Sequence, residues 1–234
     1  EGVDLIDTLY RHTYGDYYTY ESIEAGNVVL KTYSRYPFVK DSHGEIAGQN
    51  SGTSQWVDDV IKEKDTVRIF NNHLYTMSIT EEDSEDIARG EILQDGNRVR
   101  SIVQRIADNS SIRAKHAEML HKVIKDTPYR HIVCGDFNDT PMSYVYRRMS
   151  HNLNDAFKER GRGYGYTFRP LHGILRIDYI LYSDGLEAQH YYIDEEAEMS
   201  DHLPVLTRLK WLWVWGIVIA IIKISNIIWG YVSK

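Results

Sequence analysis

Four short stretches of this chain carry side chains suited to phosphate-ester chemistry. Gly135-Asp136-Phe137-Asn138-Asp139 follows directly on the apolar run His131 to Gly135. If the chain stays extended there, Asp136 and Asn138 project to the same side, because side chains alternate along a strand. A carboxylate and an amide facing one point are hard oxygen ligands of the kind Mg²⁺ or Ca²⁺ takes, and an Asp beside such a cation can orient an attacking water. An Asp-x-Asn after a strand also serves as a turn capped by its own side chains, and that reading stays open. Arg176-Ile177-Asp178-Tyr179-Ile180-Leu181 sets one carboxylate in an apolar strand, where it must be paired or functional; Arg176, two residues away on the same face, is the structural partner to weigh. Ser200-Asp201-His202-Leu203-Pro204 places a potential metal ligand beside a side chain that titrates near neutrality. Asn71-Asn72-His73-Leu74 closes the strand-like run Thr66 to Phe70 and adds an amide and an imidazole.

Each of these groups sits at or near the end of an expected strand, where sheet edges gather active sites. Gly26 to Ser34 is a β-branched run stopped by Arg35-Tyr36-Pro37, as a strand and turn would be. Residues 41–54, rich in Gly, Ser, Asn and Gln, read as a loop. Thr53 to Ile61 and Thr66 to His73 read as a hairpin around the charged turn Lys62 to Asp65. Between Glu81 and Lys125 the apolar spacing suits amphipathic helices, with Asn109-Ser110-Ser111 as punctuation. Strands follow at His131 to Gly135, Ile174 to Tyr182 and Val205 to Thr207. Strand-rich, helical, then strand-rich again points to an α/β sandwich rather than a parallel dinucleotide-binding sheet, and no glycine-rich phosphate loop is present.

The chain has 234 residues, 42% hydrophobic and 26% charged, within the range of one folded domain. A formal charge of -7 argues against broad, sequence-blind grip on a polyanion, which needs clustered Lys and Arg. A single cysteine, Cys134, excludes an internal disulfide framework. The start at Glu1 leads at once into Val3 to Tyr10, which reads as the middle of an amphipathic helix, so a segment upstream is expected. From Trp211 to Val232 the chain is nearly all apolar, long enough at about 1.5 Å per residue to cross a hydrocarbon layer of roughly 30 Å. Trp211, Trp213 and Trp215 at one end and Trp229 and Tyr231 at the other look like interfacial belts, while Lys223 near the centre opposes insertion. The expected division is a catalytic domain over 1–208 and a hydrophobic tail over 209–234, either a membrane anchor or an interfacial helix or hairpin buried on the domain.

Taken together, Asn72-His73-Leu74, Gly135-Asp136-Phe137-Asn138, Arg176-Ile177-Asp178-Tyr179 and Ser200-Asp201-His202-Leu203-Pro204 resemble, in order, the motifs of the endonuclease/exonuclease/phosphatase superfamily. The resemblance runs from about Tyr17 to Leu206. It implies a four-layer α/β sandwich of two mixed β-sheets flanked by helices, like deoxyribonuclease I, with the site at one edge of the sheets. It implies His202 as catalytic His polarised by Asp178, Asp136 orienting water or binding metal, Asn138 holding the phosphate, and His73 stabilising phosphate oxygens. Metal would be met by Asp136, Asn138 and Asp201, with Mg²⁺ expected and Mn²⁺ or Ca²⁺ as substitutes. Asn72 and Arg169 would contact substrate, the latter from the loop Gly163 to Arg169, whose aromatics also suit a core or turn role. The family's principal metal Glu and first-strand Asn are not assigned here, and the expected upstream segment is where both would lie.

The substrate expected on this resemblance is a phosphodiester, in nucleic acid or a phospholipid head group, cut by in-line attack of water. A slightly basic flank at Arg208 and Lys210, against Lys234 beyond the tail, favours the cytoplasmic side for a membrane-associated enzyme. The rival reading is a catalytically silent, membrane-tethered interaction domain of the same fold. No protein partner is implied.

Overall fold

The computed structural model describes residues 18–21, 30–47, 52–61, 65–90, 95–170, 175–198, 200–212 and 217–218. Strands β1 (Tyr18–Glu21) and β2 (Lys31–Ser34) form a two-stranded antiparallel ribbon. Next come β3 (Phe38–Ala47), β4 (Gly52–Ile61) and β5 (Asp65–Leu74), then helices α1 (Glu81–Arg89) and α2 (Gly96–Lys125). The second half contains β6 (Arg130–Asp136), α3 (Tyr144–Met149), β7 (Asn154–Asp155), α4 (Ala156–Arg160), β8 (Asp178–Tyr182), β9 (Leu186–Ile193), β10 (Val205–Trp211) and β11 (Ile217–Val218). Six strands make one sheet in the order β3-β4-β5-β6-β8-β7, mixed because β5 and β6 run parallel while the other pairs are antiparallel. A smaller antiparallel sheet has the order β11-β10-β9.

Alternation along the central strands sends apolar residues to both faces of the large sheet. Val67, Ile132, Cys134, Ile180 and Tyr182 face the small sheet and join Leu186, Ala188, Val205, Leu209 and Trp211 in one core. Phe70, Leu74, Val133, Tyr179 and Leu181 face the other way, onto Ala117, Leu120 and Ile124 of α2 and Val145, Tyr146 and Met149 of α3. A strand buried on both faces reads as a continuous apolar run, as His131 to Gly135 does; of the expected strand Ile174 to Tyr182, the part Asp178–Tyr182 is strand. The fold class is α/β, two packed sheets flanked by helices.

Two expectations of secondary structure are corrected. Residues 41–47 and 52–54 are strand, not loop: backbone pairing of His43 to Ala47 with Thr53 to Val57 needs no apolar side chains at a sheet edge, and a bulge with Asp41 at φ 59° precedes it. Asn109-Ser110-Ser111 does not interrupt α2, because Asn109 donates to Ser78 Oγ at 2.9 Å and Ser110 to Asp139 at 3.4 Å instead of competing for the helix backbone. The expected boundary after residue 208 falls inside β10, where Leu209 and Trp211 are core residues. Trp211 lies under the Arg130 guanidinium, 4.9 Å from its ring centroid, and not in an interfacial belt. No helix among the described residues is long and apolar enough to cross a membrane; residues 213–216 and 219–234 lie outside them, as do the expected helix at Val3 to Tyr10 and the start of the expected first strand.

The Arg176 guanidinium does not pair with Asp178. It forms a two-pronged bond to Asp155 (3.1 and 2.9 Å) and packs 4.6 Å from the rings of both Phe157 and Tyr179. Asp155 also accepts from Tyr146 Oη at 2.7 Å and caps α4 through Phe157 N at 2.9 Å. Removing one partner of such a buried pair strands the other charge, so Asp155→Ala is expected to destabilise the fold by about 3–5 kcal/mol. Urea denaturation followed by fluorescence checks this; a loss under about 1 kcal/mol would place the pair in the class of exposed salt bridges.

Candidate active site

Register brings the site together. His73 of β5 pairs with Asp136 of β6, and Asp136 pairs with Asp178 of β8, so the three residues form a single row across adjacent strands. Asp136 and Asp178 have the same parity as Cys134 and Ile180, which face the small sheet, and the row therefore points into the mouth of the crevice between the sheets. His202 closes the crevice from the other side, on the approach to β10. Its Nδ1 lies 2.9 Å from Asp178 Oδ2 and its Nε2 3.9 Å from Asp136 Oδ2; His73 Nε2 is 3.7 Å from the same Asp136 oxygen. Donor atoms of Asp136, Asp178 and His202 all lie within 4.8 Å of one another.

Two loops are pinned so that this row holds. Arg113 of α2, 1% exposed, donates to Asp139 Oδ2 (3.2 Å) after β6 and to the carbonyls of Tyr75 and Thr76 (3.1 Å each) after β5. Tyr179 Oη donates to Asp139 O at 2.8 Å. Gly135 lets β5 and β6 approach: its φ is +132°, and a Cβ there would lie 1.9 Å from Asn72 O.

Protonation divides the labour. Burial alone would lower the His202 pKa, but the carboxylates of Asp178 and Asp136 and the hydrogen bond to Asp178 outweigh it and raise it to about 10. Burial, reinforced by Asp178 against the opposing charge of His202, pushes Asp136 up to about 7. Burial and the neighbouring His202 charge push His73 down to about 4. Near neutrality the site therefore holds a charged His202, a neutral His73 and an Asp136 close to its midpoint. Asp178 Oδ1 is buried with no hydrogen-bond partner. An orphaned carboxylate oxygen beside a carboxyl that is harder to ionise than usual fits a site short of positive charge, as a bound divalent cation held by oxygen ligands would supply.

Not every expected residue reaches this point. Asn138 is not presented by an extended strand. It sits in a turn at φ 50°, the left-handed region that Asn tolerates, and both amide hydrogens stay within the protein, on Leu74 O (3.0 Å) and Asp136 Oδ2 (2.7 Å). With its backbone N also donating to Asp136 Oδ1 at 2.7 Å, Asn138 orients the carboxylate and has no N–H left for a phosphate. Asn72, expected at substrate, is fully buried and donates to the Phe70 and Cys134 carbonyls at 3.1 and 2.8 Å, bracing β5 against β6. Arg169, expected to hold a phosphate, spends its guanidinium on the carbonyls of Glu195, Ala197 and Ser200. Asp201 is exposed, outside the three-residue cluster, although its charge helps raise His202.

Arg113, Thr167 and Asp155 are supporting residues that escaped the sequence reading. Thr167, 0% exposed, lay within a Gly-rich aromatic stretch that reads as a turn. Asp155 left only a cap signal, an Asn-Asp pair ahead of Ala156.

The sequence profile described as the Endonuclease/Exonuclease/phosphatase family matches residues 28–202. The chain belongs to this family. Members of the endonuclease/exonuclease/phosphatase family are hydrolases acting on phosphoesters, and they generally use a divalent metal. A search of curated protein sequences found no match. Among solved structures, a family member from Bacteroides vulgatus is 17% identical, aligned over 89% of this chain and 81% of its own, with a TM-score of 0.59. A humanized D. rerio TDP2 carrying 14 mutations is 13% identical, over 88% and 81% of the two chains, at 0.62. A mannosyl-6-phosphatase from Bacteroides thetaiotaomicron is 14% identical, over 87% and 80%, at 0.54. At these identities the likeness is one of fold.

Proposed function

We propose that this family member is a metal-assisted hydrolase of phosphodiesters in which Asp136 takes a proton from the attacking water and the charged His202 stabilises the phosphoryl group. The observation that carries this reading is the clustering of Asp136, Asp178 and His202 atoms within 4.8 Å, with Nδ1 of His202 already committed to Asp178. That bond leaves His202 Nε2 as the free donor toward a phosphate oxygen. Asp136, held by Asn138, accepts a proton once ionised. A neutral His73 adds a hydrogen bond without adding charge. The water oxygen forms the new bond to phosphorus as the ester oxygen departs, and the water proton passes to Asp136. Asp136 and Asp178 are the residues that would hold a divalent cation, which when bound neutralises charge on the phosphoryl oxygens.

Turnover of bis(p-nitrophenyl) phosphate is expected with added Mg²⁺ and is expected to fall to background on addition of EDTA. Turnover that persists after chelation would overturn the metal-assisted part of the proposal. No turnover under any metal would favour the silent interaction domain. The mannosyl-6-phosphatase relative is named for a phosphomonoester, so p-nitrophenyl phosphate is the control that tests the diester preference. Plasmid nicking beside release of a phospholipid head group separates the two diester classes. The apolar composition beyond Trp211 supports a lipid-proximal, membrane-associated setting and is the reason for including the second assay.

A further inference from the structure

Between the segments that carry Asp178 and His202 lies a residue that touches the backbone of both. The Thr167 hydroxyl oxygen accepts from the backbone N–H groups of Ile177 and Asp178, at 3.1 Å each. Those groups lie where β8 begins: Asp178 is the first residue of that strand, and Ile177 is held on its other side through Phe137 N at 2.9 Å. The carbonyl of Thr167 accepts from Leu203 N at 2.7 Å, and its own N–H donates to Leu175 O at 2.9 Å. Phe168 bridges to His202, with ring centroids 5.0 Å apart, and Arg169 N donates to Asp201 O at 2.8 Å. The side chain of Thr167 thus sets the Asp178 backbone while its main chain sets the segment carrying His202.

We infer that Thr167 is the positioning residue of the Asp178–His202 hydrogen bond, acting through its hydroxyl acceptor. This rests on the hydrolase reading for its effect on rate, but not for its effect on geometry. The hydroxyl is the element that a β-branched hydrophobe of the same shape lacks. Replacing it leaves two buried N–H groups without an acceptor and frees the start of β8 to shift, carrying Asp178 with it. A displacement of about 1 Å in a catalytic group is enough to cost roughly 100-fold in rate.

The test compares Thr167→Val with Thr167→Ser in the full chain. Two readouts are used: kcat and KM on bis(p-nitrophenyl) phosphate, and the low-field proton resonance of His202 Nδ1–H, assigned by its loss in His202→Ala. The Val variant is expected to lose about 10- to 100-fold in kcat with KM within about twofold, and to lose or broaden the resonance. The Ser variant is expected to keep both, since it retains the acceptor and gives up only the methyl. A folded Val variant with normal kcat and an intact resonance overturns the inference. Equal losses in Ser and Val also overturn it, because they assign the role to methyl packing. Should the Val variant not fold, Thr167→Cys, a weaker acceptor of similar size, is read against the same two outcomes. If the wild-type protein shows no turnover, the hydrolase reading fails and the resonance alone decides whether Thr167 holds the dyad.

Discussion

His202→Ala is expected to lower kcat on bis(p-nitrophenyl) phosphate by about 10³-fold, the size typical of removing a charged donor from a developing oxyanion. p-Nitrophenolate departs without needing a proton, so the loss on this substrate reports stabilisation of the phosphoryl oxygens. The pH profile carries the sign. Asp136 must be ionised to accept a proton, and with its carboxyl pushed up to about 7 the rate rises through that region. His202 must remain charged, and with its pKa raised to about 10 the rate falls as it deprotonates there. A bell with limbs near 7 and 10 is therefore expected, and added Mg²⁺ is expected to move the acid limb downward by favouring the carboxylate. An alkaline limb near the ordinary imidazole value would show that the carboxylates do not raise His202, and the absence of any alkaline limb would show that His202 works uncharged. A loss under about tenfold in the Ala variant would remove His202 from the chemistry.

Gly135→Ala is expected to be severely damaging. The added Cβ would meet Asn72 O at 1.9 Å and Asn72 C and N at 2.7 Å, all main-chain atoms of the paired strand, which cannot swing aside as a side chain could. Its φ of +132° adds strain for any L side chain. Steric overlap and backbone strain together give a loss of about 4 kcal/mol or more. Because Gly135 precedes Asp136 and pairs with the residue before His73, any relief by strand separation also breaks the His73–Asp136 row. Thermal unfolding and turnover measured together check this. A variant with unchanged stability would show that β5 and β6 yield more easily than their pairing implies.

The candidate site was legible in the chain because it depends on residue types at short spacing. Continuous apolar runs marked the strands carrying Asp136 and Asp178, and the alternation of side chains along a strand dictated which face each carboxylate shares with its strand neighbours. An Asp in an apolar strand had to be paired, which follows from the cost of an isolated buried charge. The identity of that partner did not follow. Arg176 and His202 were both electrostatically suitable, and the choice was made by Asp155, a distant residue whose two oxygens match the guanidinium. Asn138 shows the same limit: an Asp-x-Asn can extend or turn, and the turn prevails where Leu74 O and Asp136 Oδ2 occupy both amide hydrogens. Trp211, apolar in sequence, could belong to a membrane or a core, and the pairing of β10 with β9 placed it in the core. Local pattern specifies the face a side chain takes, whereas strand register and competition for hydrogen bonds specify its neighbour. Only the tertiary structure brought His73, Asp136, Asp178 and His202, far apart in the chain, to one crevice, because the contacts that align them are made between strands and not along them.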